Sequence, residues 1–169
     1  MSLEELAQQI RRCKKCNLWQ GAINAVPGEG PAMAKAMLLG QNPGAEEDKT
    51  GRPFVGRSGR YLDSVLVKNG INRKDLFITG VVKHVTPKNR RPSDAEIYAC
   101  LPHVMKQIMI IKPRIIFLMG EVARTVPRWE GIKYIETCHP AAAMRFPKYR
   151  RIFEDDFRKF YDAYSRISD

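Results

Sequence analysis

The chain contains no apolar run near the roughly 20 residues that span a bilayer, so no membrane-spanning helix is expected. Its opening residues, Met1-Ser2-Leu3-Glu4-Glu5-Leu6, lack the basic region and following apolar stretch of a secretory signal, which predicts a cytoplasmic, intracellular protein. Cysteine is sparse, at four residues, and 169 residues are enough to bury a core without disulfide staples. No internal repeat, low-complexity tract or second domain is visible, and residues 1–169 are expected to form a single domain. A recognisable dimerisation element is also missing, which leaves a monomer as the expectation. Acid is in short supply. Against 29 Lys and Arg stand 18 Asp and Glu, and the net charge of +11 points to an anionic partner, most simply nucleic acid.

The basic residues that are present recur in loops, at Lys88-Asn89-Arg90-Arg91 and at Arg145-Phe146-Pro147-Lys148-Tyr149-Arg150-Arg151. Loops of this kind meet a phosphate backbone better than dispersed charge does. Apolar runs at Ala36–Leu39, Leu76–Val82 and Ile115–Met119 show little alternation, as expected of strands covered on both faces. Lys133–Glu136 completes a set of four. Between them lie helical patterns. Residues 2–12 and 58–68 are amphipathic, Ser93-Asp94-Ala95-Glu96 is a capping box that opens a helix to about Ile111, and 150–165 carries a stripe of Ile152, Phe153, Phe157, Phe160 and Tyr161. Strands alternating with helices predict an α/β fold, a three-layer α/β/α sandwich around a mainly parallel four-stranded sheet. Residues 17–34, rich in Gly and Pro, read as an extended wrap.

Two places carry chemistry. The first strand ends at Gly40 and opens into a loop, Gln41-Asn42-Pro43-Gly44-Ala45-Glu46-Glu47-Asp48, which delivers the lone aromatic Phe54 between Pro53 and Val55. Polar residues just past a strand's carboxyl end sit where open α/β sheets bind ligands. The other is Cys13-Lys14-Lys15-Cys16, which fits a redox dithiol, half of a metal site or two ordinary thiols. With His84 and Cys100 it makes a four-ligand set suited to zinc or to an iron–sulfur cluster. Cys138 reads as a packed thiol.

Four motifs in order resemble uracil-DNA glycosylases of the family 4, iron–sulfur type: Ser2–Pro31 with its Cys-x-x-Cys, Gly40–Gly56, Gly80–Pro92, and His139-Pro140-Ala141. The resemblance covers nearly the whole chain. It implies a monofunctional DNA repair glycosylase, nucleoid-associated, that flips uracil out of DNA and hydrolyses its N-glycosidic bond. Phe54 is then expected to stack on the flipped pyrimidine, His139 to donate to O2 of the leaving base, and Asn42 and Glu47 to hold the attacking water. The resemblance likewise implies that Gly40, Gln41, Gly80 and Asn89 line the base site, that Arg90 lies near the DNA, and that Arg145 and Phe146 belong to a turn that fills the vacated stack. Cys13, Cys16, His84 and Cys100 are implied to hold a structural 4Fe-4S cluster.

The chain departs from that family at four motif positions: Gln41 replaces Glu, Asn42 replaces Ala, Gly80 replaces the base-reading Asn, and His84 replaces Cys. Gly80 bears on discrimination, because a paired amide is what separates uracil from cytosine. Two other expectations therefore stand beside the first: a weakly active or inactive protein that recognises damaged or single-stranded DNA, and a glycosylase for another lesion such as hypoxanthine. A covalent-capture branch of the superfamily shares Val-Lys-His but has a long basic insertion, where this chain has only Thr86-Pro87-Lys88. No lysine stands out as a Schiff-base nucleophile, and lyase activity is not expected.

Overall fold

The computed structural model describes residues 1–168. Its centre is a four-stranded parallel sheet in the order β2-β1-β3-β4, formed by β1 (Ala36–Gly40), β2 (Phe77–Gly80), β3 (Ile115–Met119) and β4 (Lys133–Thr137). All three pairings are parallel. β1 and β3 are buried along their whole length, which accounts for their unbroken apolar sequences.

Period-two alternation divides these strands between two cores. Met37, Leu39, Phe77, Ile116 and Leu118 face α4 (Asp94–Ile111), where they meet Ile97, Val104 and Ile108. Ala36, Leu38, Ile78, Ile115, Phe117 and Met119 face the opposite layer, formed by α3 (Arg57–Lys68), α5 (Pro140–Arg145) and α6 (Pro147–Ser165). Phe117 sits among Phe153, Phe157 and Phe160 with ring centroids 5.7, 5.5 and 5.2 Å away. Removing a ring so placed costs about 3–5 kcal/mol. The α/β/α sandwich and parallel sheet are as expected.

α1 (Leu3–Arg11) opens with a capping box between Ser2 and Glu5 and buries Leu6 and Ile10 with Ala25, against Ile110 of α4. The wrap that follows shields an edge of the sheet: Glu29 exchanges two backbone hydrogen bonds with Ile78, at 3.0 and 2.9 Å. Among the described residues no helix is long and apolar enough to cross a membrane.

Several local expectations need correction. The wrap contains a 3₁₀ helix, Asn17–Gly21. The loop after β1 contains a helix, α2 (Ala45–Thr50), and the stretch after His139 is helix rather than loop, because Pro140 occupies the first helical position that its ring favours. β2 ends at Gly80 rather than Val82. In α6 the buried stripe is Phe153, Phe157 and Phe160, whereas Ile152 and Tyr161 are exposed.

Candidate active site

The carboxyl ends of β1, β2 and β4 converge on a cavity of ≈ 180 Å³. Gln41, Asn42, Glu47, Phe54, Gly80, Asn89 and His139 all line it, although they come from four separated stretches of chain. Gly40 lies beneath: a Cβ there would stand 2.5 Å from Phe54 Cζ, so the ring rests directly over the glycine backbone.

Phe54 has φ of +49°, a left-handed conformation that costs a non-glycine residue energy unless its surroundings impose it. Arg73 imposes it. Its guanidinium donates to the carbonyls of Pro53 and Phe54 while pairing with Asp63 at 2.8 Å and Glu29 at 3.3 Å. The Phe54 carbonyl also lies so close to Gly59 that a Cβ there would stand 2.0 Å away. Thus the aromatic is held by α3 and by an arginine 19 residues onward, a clamp with no local sequence signal.

The two buried acids of α2 serve as ties. Glu47 Oε1 accepts from the Gly44 N–H at 2.9 Å, and Oε2 accepts from Val55 and Gly56 at 2.8 and 2.6 Å. Asp48 Oδ1 accepts from Ile23 and Asn24. These bonds join the wrap, α2 and the Phe54 loop. A carboxylate offers about four lone pairs, so Glu47, with three bonds accepted, retains capacity for one more, and it lines the cavity. Asn42 commits its amide nitrogen to the Pro43 carbonyl at 3.0 Å, which leaves its carbonyl oxygen as the acceptor for a further group.

His139 caps α5. Its Nδ1 accepts from the Ala141 N–H at 3.0 Å. That bond requires Nδ1 to be unprotonated, so the neutral ring carries its proton on Nε2, the nitrogen free to act as donor. Burial lowers its pKa to about 4, and the neutral donor is therefore the form present at neutral pH. Its ring lies 6.2 Å from that of Phe54, with 28° between planes.

Behind Gly80 lies the wholly buried Lys83. Its ammonium donates to Thr79 Oγ1, the Gly80 carbonyl and Gln107 Oε1 at 2.6, 2.7 and 2.9 Å, and burial lowers its pKa to about 7. It thereby fixes the Gly80 end of the cavity to α4.

The rim residues behave differently from one another. Asn89 is exposed and adopts φ of +54° at the cavity mouth. Arg90 is bound at both guanidinium nitrogens to Glu96 of α4, at 2.7 and 3.1 Å, so it braces the loop as well as facing solvent. Arg145 and Phe146 are exposed at the α5–α6 corner, two and one residues ahead of α6.

A second group of side chains lies where α1 ends against α4. Cys13 and His84 line one surface recess. Cys100 is buried; desolvation raises its thiol to about 11, with Cys16 and Cys13 close enough to add to the rise. His103, one turn beyond Cys100, points Nε2 at Cys13 Sγ from 3.2 Å. It was not anticipated from the sequence. Among the described residues no three His, Cys, Asp or Glu groups converge tightly enough to hold a single metal ion. The donor set, three thiols and two imidazoles in a partly buried region, nevertheless fits a soft iron–sulfur group. Cys138 packs as expected, its Sγ 3.4 Å from the Tyr149 carbonyl.

Comparison with known proteins places residues 27–164 under the family model for the uracil DNA glycosylase superfamily. The chain is 41% identical to a type-4 uracil-DNA glycosylase of Sulfurisphaera tokodaii, over 94% of this chain and 83% of that protein. It is 38% identical to the type-4 enzyme of Saccharolobus solfataricus (97% and 87% covered) and 40% identical to that of Pyrobaculum aerophilum (95% and 94% covered).

Proposed function

The chain belongs to the uracil DNA glycosylase superfamily, and from that membership we propose that it is a monofunctional DNA repair glycosylase, which hydrolyses the N-glycosidic bond of uracil and leaves an abasic site. The observation that carries the proposal is the His139 tautomer, a neutral imidazole with Nε2–H left free by the Ala141 contact in the wall of a base-sized cavity.

In this reading the basic loops hold DNA and the nucleotide is flipped into the cavity, where Phe54 stacks on the base. As the bond between the sugar carbon and the base nitrogen breaks, its electron pair passes to the base, and His139 Nε2–H donates to O2 where that charge gathers. Water supplies the oxygen that replaces the base. Asn42 accepts from it, and Glu47, which lines the cavity, places negative charge beside the sugar as positive charge develops there. Glu47 thus combines a water-orienting role with the loop ties described above. Arg145 and Phe146 fill the gap left in the stack, and Arg90 and Asn89 face the DNA.

Gly80 contributes no side chain, and its carbonyl is already bound to Lys83. The amides available to read the uracil edge are those of Gln41 and Asn89, both at the cavity. Discrimination against cytosine is accordingly weaker than a dedicated paired amide provides. A Cβ at Gly80 would meet the Gln41 carbonyl oxygen at 3.2 Å, tighter than an ordinary contact, so the Gln41 backbone must give slightly; with that shift made, Gly80→Asn is expected to raise the uracil-over-cytosine ratio by about tenfold or more. An unchanged ratio would remove Gly80 from base reading.

Cys13, Cys16, His84 and Cys100 are the proposed holders of a 4Fe-4S cluster, which when bound supplies a structural clamp between the N-terminal arm, the segment after β2 and α4. The protein acts as a single-domain monomer inside the cell, on nucleoid DNA.

The test is single-turnover excision on oligonucleotides carrying uracil, hypoxanthine, thymine or xanthine, in single strands and mismatched duplexes. Uracil release that His139→Ala lowers by about 10²–10³ supports the proposal. Tight binding to the same oligonucleotides without release of any base leaves a DNA-binding protein instead.

A further inference from the structure

His103 takes no part in the chemistry described above and is the least explained polar group in the interior. It is 5% exposed. Its neighbours on the inner face of α4 are apolar, Ile97, Val104, Ile108 and Ile111, apart from Cys100 and the Gln107 that binds Lys83. Buried polar atoms are nearly always paired. Yet His103 Nδ1 has no hydrogen-bond partner, and the ring's polar contact among the described residues is Nε2 to Cys13 Sγ at 3.2 Å. An aliphatic or phenyl side chain would fill this position without leaving a buried nitrogen unpaired, so a packing role alone does not account for an imidazole.

Placement supplies the rest. Residues three apart on a helix share a face, which puts His103 beside Cys100, and the Cys13 contact brings it to the end of α1. A separation of 3.2 Å suits a hydrogen bond to sulfur; two ligands on different irons of a cluster stand farther apart than this. Resting on the cluster reading given above, we propose that His103 is a positioning residue of that cluster, donating Nε2–H to the Cys13 sulfur. The bond draws electron density from the thiolate and favours the more negative, reduced cluster, raising its potential and slowing its loss to oxygen.

Two variants of the holoprotein test this. His103→Phe removes the donor and keeps a ring; His103→Gln keeps an N–H. The expected result is a lower midpoint potential in a dye-mediated redox titration for His103→Phe and bleaching of its visible absorbance in air several-fold faster, with His103→Gln close to the parent. The nitrogen hyperfine coupling of the reduced cluster should persist in His103→Phe, since its source is His84. Equal potentials and bleaching rates in parent and His103→Phe would overturn the proposal. So would loss of the nitrogen coupling in that variant, which would make His103 the ligand itself, or failure of both variants to take up iron. Uracil excision by the same preparations reads the functional proposal separately: a protein with stoichiometric zinc that still releases uracil overturns the His103 inference and leaves the glycosylase standing.

Discussion

The base cavity and the thiol-rich end of α1 are both built from residues far apart in the chain, but they are completed in opposite ways. At the cavity, the groups that shape the framework are tied by the protein itself. Glu47 and Asp48 together accept five backbone N–H bonds, Arg73 binds two carbonyls and two acids, and His139 is fixed by Ala141. At the thiol end, Cys100 is buried with its thiol pushed up to about 11, and His103 keeps an unpaired nitrogen. A pocket held by backbone amides is preorganised and needs nothing bound to keep its shape. Thiols gathered in a protein interior beside an imidazole that keeps one nitrogen unpaired are the mark of a region whose folding is coupled to what it binds.

That contrast is best broken from the thiol end first. Cys100→Ser is expected to abolish iron, which should stand at about four per chain in the parent, and to open residues 13–34 to limited proteolysis, while the sheet and cavity persist. Coincident loss of the sheet, seen in far-ultraviolet circular dichroism, would show that the two regions do not fold separately. At the cavity end, His139→Ala should lower single-turnover uracil release by about 10²–10³, the cost of one donor to a developing anion, and melting temperature should move little, since a lost helix cap costs about 1 kcal/mol. A large fall in thermal stability would assign His139 to the scaffold.

Phe54→Ala should cost less, roughly 5–150-fold, from stacking worth about 1–3 kcal/mol per base. Arg73→Ala should reproduce part of that loss with the ring still present, because the clamp rather than the phenyl is then removed. Equal excision by Arg73→Ala and the parent would show that the Phe54 loop holds itself.

The smallest effect concerns pH. His139 binds a proton near 6.5 when unfolded and near 4 when folded. Between those values the unfolded chain carries the extra proton, so stability is full above 6.5 and declines as pH falls toward 4. Thermal melts at pH 4.5, 5.5 and 7 should show a shallower decline for His139→Ala than for the parent; parallel declines would mean that His84 and His103, both also lowered by burial, carry the effect.

Much of this was legible in residue order. The four strands, the Ser93 capping box, the extent of α4 and the identity of the cavity residues follow from apolar runs, caps and motifs. The short helices α2 and α5 did not stand out, because six residues carry less than two turns of periodicity and their caps are Gly44 and His139 rather than Ser or Asp. Lys83, Arg73 and His103 were missed for a different reason. Each is a single polar residue whose role depends on at least one partner 19 or more positions away: Gln107 at 24, Phe54 at 19 and Cys13 at 90.

Local residue order by itself determines the elements and the parity that sends Met37 and Leu38 to opposite cores, since backbone geometry repeats every two or 3.6 residues and needs no distant partner. Only the tertiary structure decides which carboxylate is a tie and which lone pair remains, which nitrogen of His139 bears the proton, and that a fifth donor stands beside Cys13. Those properties are set by hydrogen bonds and burial, and both depend on neighbours that the chain brings together only when it is folded.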